Sequence, residues 1–500
     1  MLGAGFVALS DDDFSRVVIA ERFASHPALD PSGTSWLPLP FWVLGTAMIA
    51  LGRSLFVARG VALVAGVVAA LLVHRAARLA GASRPGALLG AAAATVIPTA
   101  ARLGVSFQPE ALTAGLVVLG SATAALDGSW RLAGAAALAA ACLSRYEAWP
   151  AAAAFALLAA VDALRTRPPL PVDSVRTPPP SSARPPVSSA RLRRTDSVRA
   201  PRPSSRALLS GAAALALAAP LAWVLHGAVD HRDALFFVHR VTAYRHALGV
   251  SEPWTASLLA YPAALALEPE VLLAFLVVLW TARRERARLA PLARPFLVLG
   301  AVLAFLVAGR LLDGAPTHHD SRTLLPIWTA LALVAAEGTT RAFADRARLA
   351  PGALLVLALL AALCIALRVA RDPESLSARR DERAIGDQAR AAVPPGARLM
   401  VDTPDYGYFA VLAAFGAPER AEPFDRHDPR ERRAEDAFAS TAALKQRLSR
   451  SRASWLVVAN EHLAQASELG RVVARVPGFA LAHVEGTERG GNVTDGAVLR

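Results

Sequence analysis

Cysteine and lysine are nearly absent from this 500-residue chain. The two cysteines, Cys142 and Cys364, each lie inside an apolar block, where a packing role is the simplest interpretation. Two cysteines are too few for a disulfide framework or a cysteine-based zinc site. Lys445 is the only lysine, although the formal net charge is +13.

The positive charge is therefore carried by arginine, and its distribution argues against a nucleic-acid partner. Much of the arginine lies in one linker and in short loops between apolar blocks. The positive-inside rule places basic residues in such loops of membrane proteins. The sequence also lacks a Gly-rich phosphate-binding loop and an internal repeat.

Apolar residues make up 54% of the chain, against about 45–50% in an average soluble protein. They are concentrated in blocks that approach the ~20 residues a membrane-spanning helix needs. These blocks predict an α-helical polytopic membrane protein with about 10–11 transmembrane helices. We place spans at 56–73, 86–101, 109–126, 131–143, 148–163, 207–226, 267–282, 292–309, 323–337 and 351–369.

The first ten residues, Met1–Ser10, are apolar but too few to cross a bilayer. They lack the basic segment that begins a signal peptide. We interpret them as the tail of a first helix whose start lies upstream of Met1.

Arginine also predicts which loops face the cytoplasm. Basic loops at 75–84, 283–294 and 341–348 fall on one side of an alternating topology, together with the Pro/Ser/Arg-rich segment 165–206. That segment cannot bury a core, so we predict a disordered cytoplasmic linker. The opposite side receives 11–53, 102–108, 144–147, 227–266, 310–322 and everything after 370. These outer loops hold the acidic, histidine and aromatic residues, so the chemistry should be extracytoplasmic.

The composition changes after residue 370, which divides the chain into a transmembrane domain (1–370) and a soluble domain (371–500). Arg398–Val401 and Trp455–Ala459 read as buried strands, Ala480–Val484 as a weaker third, and 431–449 as a helix. We expect a small extracytoplasmic α/β domain.

Three adjacent carboxylates, Asp11, Asp12 and Asp13, begin the outer loop, and Arg16 follows. Mutual repulsion would raise the pKa of at least one of them, which suits a general base, and carboxylates also ligate metals. The alternative is an acidic first turn that favours the start of a helix.

The same loop continues with a Pro- and Trp-rich segment that contains Trp36 and Trp42. Such rings stack on sugars, and they also serve as interfacial anchors. The residue types alone do not separate these two roles.

Two further outer segments carry charge at the membrane boundary. Glu110 follows Pro109 at the start of a predicted span, where an ionisable group is a functional candidate or an acidic first-turn residue. Arg145 lies in Ser144–Pro150, where it could bind phosphate or pair with Glu147.

The segment Thr317–Arg322 contains His318, His319 and Asp320. These side chains could ligate a metal, but they lack the helical i, i+4 spacing of a strong metal motif. Arg322 could reach a phosphate at the level of the lipid headgroups.

Together these motifs resemble the multi-spanning glycosyltransferases of the C superfamily, in particular the protein-mannosyltransferase-like and lipopolysaccharide-sugar-transferase-like families. The resemblance covers roughly residues 11–370. It rests on the acidic cluster, the Pro- and aromatic-rich segment Ser35–Trp42, the pair Pro109-Glu110, and Arg322–Pro326 (Arg-Thr-Leu-Leu-Pro). The linker 165–206 has no counterpart in the family pattern, and Arg322-Thr323 replaces its Arg-Tyr.

The resemblance implies an enzyme that takes a sugar from a polyprenyl-phosphate carrier outside the membrane and inverts the anomeric centre. An outer-loop carboxylate would act as general base or help to hold a metal, and among Asp11–Asp13 we favour Asp12 and Asp13. The other implied site residues bind the donor phosphate or the substrate: Arg16, Glu110, Arg145, His318, His319, Asp320 and Arg322. Trp36 and Trp42 would stack on the sugar or acceptor.

We therefore expect a membrane glycosyltransferase in a cell inner (plasma) membrane. Its partners would be a polyprenyl-phosphate-linked sugar, membrane lipids, and an acceptor glycan, lipid or protein, and a divalent metal could assist. The alternatives are a transporter or flippase, which would carry ionisable groups near the middle of the membrane, and a non-catalytic membrane scaffold.

Overall fold

The computed structural model describes residues 6–166, 206–249, 253–284, 289–312, 320–344, 378–431 and 437–484. Most of the described chain is helical, and a small sheet lies at its C-terminal end. Up to residue 344 the α-helices are α1 Asp11–Ser25, α2 Leu39–Leu51, α3 Leu55–Leu79, α4 Arg84–Val96, α5 Pro98–Leu103, α6 Glu110–Thr123, α7 Ser129–Cys142, α8 Ala148–Arg165, α9 Arg206–Asp230, α10 Phe236–Ala247, α11 Trp254–Leu267, α12 Pro269–Arg284, α13 Ala293–Leu311, α14 Asp320–Thr323 and α15 Leu325–Ala344.

Several of these helices suit a membrane, and the chain is a multi-pass membrane protein of the predicted helical class. Within the described ranges, four helices are long and apolar enough to cross a bilayer: Leu55–Leu79, Ala148–Arg165, Arg206–Asp230 and Ala290–Leu311. A fifth span arises if Trp254–Leu265 and Pro269–Arg284, which meet at 86°, count as one broken helix.

Four further predicted spans, 109–126, 131–143, 267–282 and 323–337, overlap the observed helices α6, α7, α12 and α15. The predicted span 86–101 is broken, because Pro98 begins a new helix directly after Ile97. Its ring removes the backbone donor that would have continued α4. The predicted span 351–369 lies outside the described residues, as does most of the predicted linker.

Small residues bring the membrane helices close together. A Cβ on Gly115 of α6 would lie only 3.1 Å from the carbonyl oxygen of Ala69 in α3. Close approach of this kind is how helices associate where lipid replaces water. Helices α6 to α9, α13 and α15 enclose the largest apolar cluster.

The first described helix, α1, begins at Asp11, and residues 6–10 are not helical. The prediction that Met1–Ser10 is the tail of a helix is therefore wrong for residues 6–10. Ser10 is extended and precedes three acidic residues, which favour the positive end of the helix dipole. The helix-start interpretation of Asp11–Asp13 is confirmed.

The C-terminal domain is a small α/β unit, as predicted. Its elements are α16 Arg380–Ala392, β1 Leu399–Val401, α17 Tyr408–Phe415, β2 Ala421–Pro423, α18 Thr441–Ser451, β3 Trp455–Ala459, α19 Leu463–Leu469, β4 Gly470–Val476 and β5 Phe479–Val484. The strand order is β2-β1-β3-β5-β4. The β1 strand is parallel to β2 and β3, whereas β5 is antiparallel to β3 and β4.

Candidate functional site

The site lies where the first turn of α1 meets the segment before α6. It contains the three predicted carboxylates, and each of them lies in a different environment. Asp13 is fully buried, Asp11 is partly buried, and Asp12 is exposed.

Asp13 is tied to backbone amides. Its carboxylate accepts hydrogen bonds from the N–H groups of Leu9 at 2.9 Å, Ser10 at 3.3 Å and Phe107 at 2.7 Å. Burial raises the pKa of the Asp13 carboxyl, and these three donors together with nearby Arg322 oppose part of that rise. Asp13 thus joins the start of α1 to the loop before α6.

Asp11 binds the C-terminal domain. The guanidinium of Arg379 donates to its two carboxylate oxygens from Nε at 2.8 Å and from Nη2 at 2.9 Å. Asp11 and Asp13 both have close partners, so the predicted mutual repulsion is relieved by donors on two sides.

Asp12 is the carboxylate left facing solvent. It lies within electrostatic range of Arg16 and Arg145, and no hydrogen bond to its side chain is present among the described residues. It is therefore the member of the cluster that is accessible to a substrate.

Arg16 lies one turn further along α1 and is buried. Its Nε donates to Oε1 of Gln108 at 3.0 Å. Its guanidinium carbon is 4.4 Å from the ring centroid of Trp36, a cation–π contact. Trp36 therefore contacts Arg16, whereas the indole N–H of Trp42 donates to the Leu29 carbonyl at 3.2 Å.

Glu110, Arg145 and Arg322 line one small pocket together with Thr113, Glu147 and Thr323. Arg145 pairs with Glu110 at 2.8 Å and donates from Nε to Glu147 at 3.0 Å. Burial alone would lower the pKa of Arg145, but the two carboxylates outweigh burial and raise it. Glu110 keeps one buried oxygen, Oε2, without a hydrogen-bond partner.

Arg322 of α14 reaches the same place, although it lies late in the sequence of the transmembrane domain. It is 8% exposed, and its Nη2 lies 3.4 Å from the Ser10 hydroxyl, directly beside the acidic cluster. Within the described ranges neither Arg16 nor Arg322 forms an ion pair. The structure thus brings together Asp12, Asp13, Arg16, Glu110, Arg145 and Arg322.

Of the predicted His-His-Asp motif, only Asp320 belongs to the described residues, and it is not part of this cluster. Asp320 pairs with Arg310, and His318 and His319 lie outside the described residues. The paired Asp320 offers no observation in favour of the metal interpretation of that motif.

A different group of residues, not singled out from the sequence as ligands, could hold a metal. Asp30, His226 and His231 place one ligand atom each within 4.8 Å of one another. Oδ2 of Asp30 and Nε2 of His226 are buried and lack hydrogen-bond partners. Nδ1 of His226 contacts Asp230 at 2.6 Å, an arrangement that turns Nε2 toward a metal. The two histidines flank the end of α9, the only sequence signal for this site.

Comparison with known proteins gives matches in structure alone. No protein-family model and no curated protein sequence matches the chain. The crystal structure of ArnT from Cupriavidus metallidurans bound to undecaprenyl phosphate matches with a TM-score of 0.53 at 15% identity, covering 95% of this chain and 94% of that one. The apo form matches with a TM-score of 0.54 at 14% identity, covering 96% and 94%.

An oligosaccharyltransferase from Archaeoglobus fulgidus, tethered to an acceptor peptide, also matches, at 15% identity over 97% of this chain and 72% of that one, with a TM-score of 0.46. The two ArnT matches confirm the predicted resemblance at the level of the fold. At these identities the likeness is one of fold.

Proposed function

We propose that this chain, which shares the fold of a C-superfamily glycosyltransferase, transfers a sugar from a polyprenyl-phosphate-linked donor to an extracytoplasmic acceptor with inversion. The observation that carries the proposal is that an exposed carboxylate, Asp12, lies within electrostatic range of Arg16 and Arg145. Arg322 lies beside the same acidic cluster, at the Ser10 hydroxyl. The ArnT structure with undecaprenyl phosphate supports a lipid phosphate as the anion.

The three arginines differ in how freely they can bind the phosphate leaving group. Arg145 is already held by two carboxylates, so it would mainly shape the pocket. Arg16 and Arg322 bind only neutral groups among the described residues, Gln108 and the Ser10 hydroxyl. Their charge is available to stabilise the phosphate as it gains negative charge.

The reaction that fits is a single displacement. Asp12 takes the proton of the acceptor hydroxyl, the acceptor oxygen bonds to the anomeric carbon, and the bond from that carbon to the phosphate oxygen breaks. The electron pair of the broken bond leaves with the polyprenyl phosphate. One displacement inverts the anomeric centre, and the role of Asp12 is that of a general base.

Asp13 would act in this scheme through position, since its oxygens are occupied by backbone donors. Trp36 would hold Arg16 in place, because Arg16 lies on its ring. The donor sugar could still stack on Trp42. Asp30, His226 and His231 would hold a divalent metal such as Zn²⁺, which would fasten the outer loop to the end of α9.

The chain would work as a multi-pass protein of a cell inner (plasma) membrane, with residues 371–500 outside the cytoplasm. Its acceptor would be a glycan, a lipid or a protein. The clustering of ionisable groups at the start of outer-loop helices favours this proposal over a transporter, whose ionisable groups would lie near the middle of the membrane.

The test is transfer of radiolabelled sugar from lipid carriers to endogenous acceptors in membranes from a strain that lacks the native gene. Intact protein is compared with Asp12→Asn at equal membrane levels. Asp387→Asn, a change of an exposed carboxylate on α16, is the matched control. We expect Asp12→Asn to abolish the labelled product while the control retains it. Equal labelling by all three proteins would contradict the role of Asp12.

A further inference from the structure

The C-terminal domain packs directly against the helix that carries the acidic cluster. One apolar cluster contains Phe14, Val17 and Val18 of α1 together with Val411 of α17 and Leu399 of β1. All five side chains are buried. Helix α1 therefore lies between the membrane helices and the soluble domain, and its position depends on both.

Arg379 forms the polar part of this contact, at the N-terminus of α16. Besides Asp11, its guanidinium binds Asp405 at 2.8 Å and Glu382 at 2.9 Å. Its backbone has φ 57°, a left-handed conformation that non-glycine residues seldom adopt. Three carboxylates so close together would repel one another without this cation.

Asp405 is itself held within the loop that follows β1. It follows β1, its Oδ1 accepts from the Gly407 N–H at 2.8 Å, and its carbonyl accepts from the Thr403 hydroxyl at 2.8 Å. The contacts that join the loop after β1 to the first turn of α1 therefore consist of Asp405, Arg379 and Asp11.

The residue next to Asp11 is Asp12. On its other side Asp13 is fixed by the backbone N–H groups of Leu9 and Phe107. Asp12 is thus an exposed residue between two fixed neighbours. Asp11 is held by the soluble domain, and Asp13 is held by the membrane domain.

We propose that Arg379 is a positioning residue, which fixes the Asp12 carboxylate by joining Asp11 to Asp405, and that the soluble domain is therefore part of the active site. This inference rests on the proposed function for the role of Asp12. The tether itself can be tested without any assumption about activity.

The first experiment measures hydrogen exchange of the backbone amides of residues 9–14 in the full-length protein in nanodiscs. Arg379→Gln should speed exchange there, and Arg379→Lys should give an intermediate rate, because lysine keeps the charge but loses the paired donors. Arg53→Gln is the matched control. It removes another pair between the two domains, Arg53–Glu419 at 2.9 Å, and should leave these amides unchanged.

The second experiment is a double-mutant cycle on sugar transfer. Asp11→Asn and Arg379→Gln should each slow turnover about 10-fold or more, because small misplacements of a reacting group are costly. The double variant should be no slower than the worse single variant, since both remove one shared interaction. Binding of undecaprenyl phosphate should be unchanged in all three, which separates positioning from loss of the donor site.

Unchanged exchange at residues 9–14 in Arg379→Gln would overturn the tether, whatever the protein catalyses. The same faster exchange in Arg53→Gln would also overturn it, because the effect would then reflect general loosening of the domains. If the tether holds but the wild-type chain transfers no sugar, the proposed function fails and the contact between the domains stands. If the fold-decreases in turnover of the two single variants multiplied in the double variant, Asp11 and Arg379 would act independently, which would exclude the shared positioning role.

Discussion

Replacing His231 by alanine should abolish binding of a divalent metal by the side chains of Asp30, His226 and His231. The reason lies in the spacing of the three ligand atoms. Oδ2 of Asp30 is 3.7 Å from Nε2 of His226 and 3.9 Å from Nε2 of His231. Tetrahedral zinc with bonds of 2.0–2.1 Å holds its ligands ~3.3 Å apart. The two distances to Asp30 need to close by only ~0.5 Å for Zn²⁺ to bind. The ligand nitrogens of the two histidines, which lie within 4.8 Å of each other, need to close by up to ~1.5 Å.

The expected stabilisation follows from mass action. Free Zn²⁺ at 100 times its dissociation constant adds about 2.7 kcal/mol to the free energy of unfolding. An unfolding entropy of about 2.1 cal/mol/K per residue gives roughly 1 kcal/mol/K for a chain of 500 residues. Zn²⁺ should then raise the unfolding midpoint by about 2–3 °C if the chain unfolds as one unit.

The assay combines metal content by mass spectrometry with thermal unfolding of the purified protein, with and without a chelator. His239→Ala is the matched control, because the Nδ1 of His239 also contacts a carboxylate oxygen, that of Asp233, at 2.6 Å. We expect wild type and His239→Ala to bind one zinc ion and His231→Ala to bind none. Wild-type protein without zinc and without a zinc-dependent midpoint would refute the reasoning, as would equal metal loss in both variants.

Three further predictions concern the arginine and aspartate cluster. Arg322→Gln should weaken undecaprenyl phosphate binding about tenfold or more, because hydrogen bonds to charged groups contribute about 1.5–3 kcal/mol. Arg447→Gln is the control and should bind as wild type does. Unchanged binding by Arg322→Gln would contradict the phosphate role of Arg322. Asp13→Ala leaves the partly buried Leu9 N–H and the buried Phe107 N–H without their acceptor, so the free energy of unfolding should fall by about 2 kcal/mol. Thermal unfolding in detergent measures this, and a midpoint equal to wild type would contradict it. Trp36→Ala should slow transfer several-fold through loss of a cation–π contact of about 0.5–2 kcal/mol, whereas Trp36→Phe should retain most of the rate; equal rates for both would exclude the ring as support for Arg16.

The sequence predicts those parts of the fold that depend on continuous apolar runs. Trp455–Ala459 is fully apolar and forms β3 as predicted, and Leu399–Val401 forms β1. The strand β2, Ala421–Pro423, was missed because three residues containing Glu and Pro carry no strand pattern. The strand β4 was missed because its polar face includes Arg471 and Arg475.

The candidate site is predicted by residue type but not by role. The different fates of Asp11 and Asp13 depend on partners 368 and 94 residues away, Arg379 and Phe107. No local pattern could have indicated these contacts. The candidate metal ligands were missed for the same reason, because Asp30 and His226 lie on distant segments that meet only in the folded chain.

The proposed activity is the transfer of a sugar from a lipid carrier to an acceptor. It is tested most directly with purified protein in nanodiscs that is supplied with lipid-linked sugars extracted from membranes and with a membrane extract as acceptor. Polyprenyl phosphate released and sugar transferred are both counted by mass spectrometry. We predict one phosphate released for each sugar transferred, and neither product with Asp12→Asn. If correctly folded wild-type protein left the lipid-linked sugar intact, or if Asp12→Asn consumed it equally, the proposed function would be contradicted.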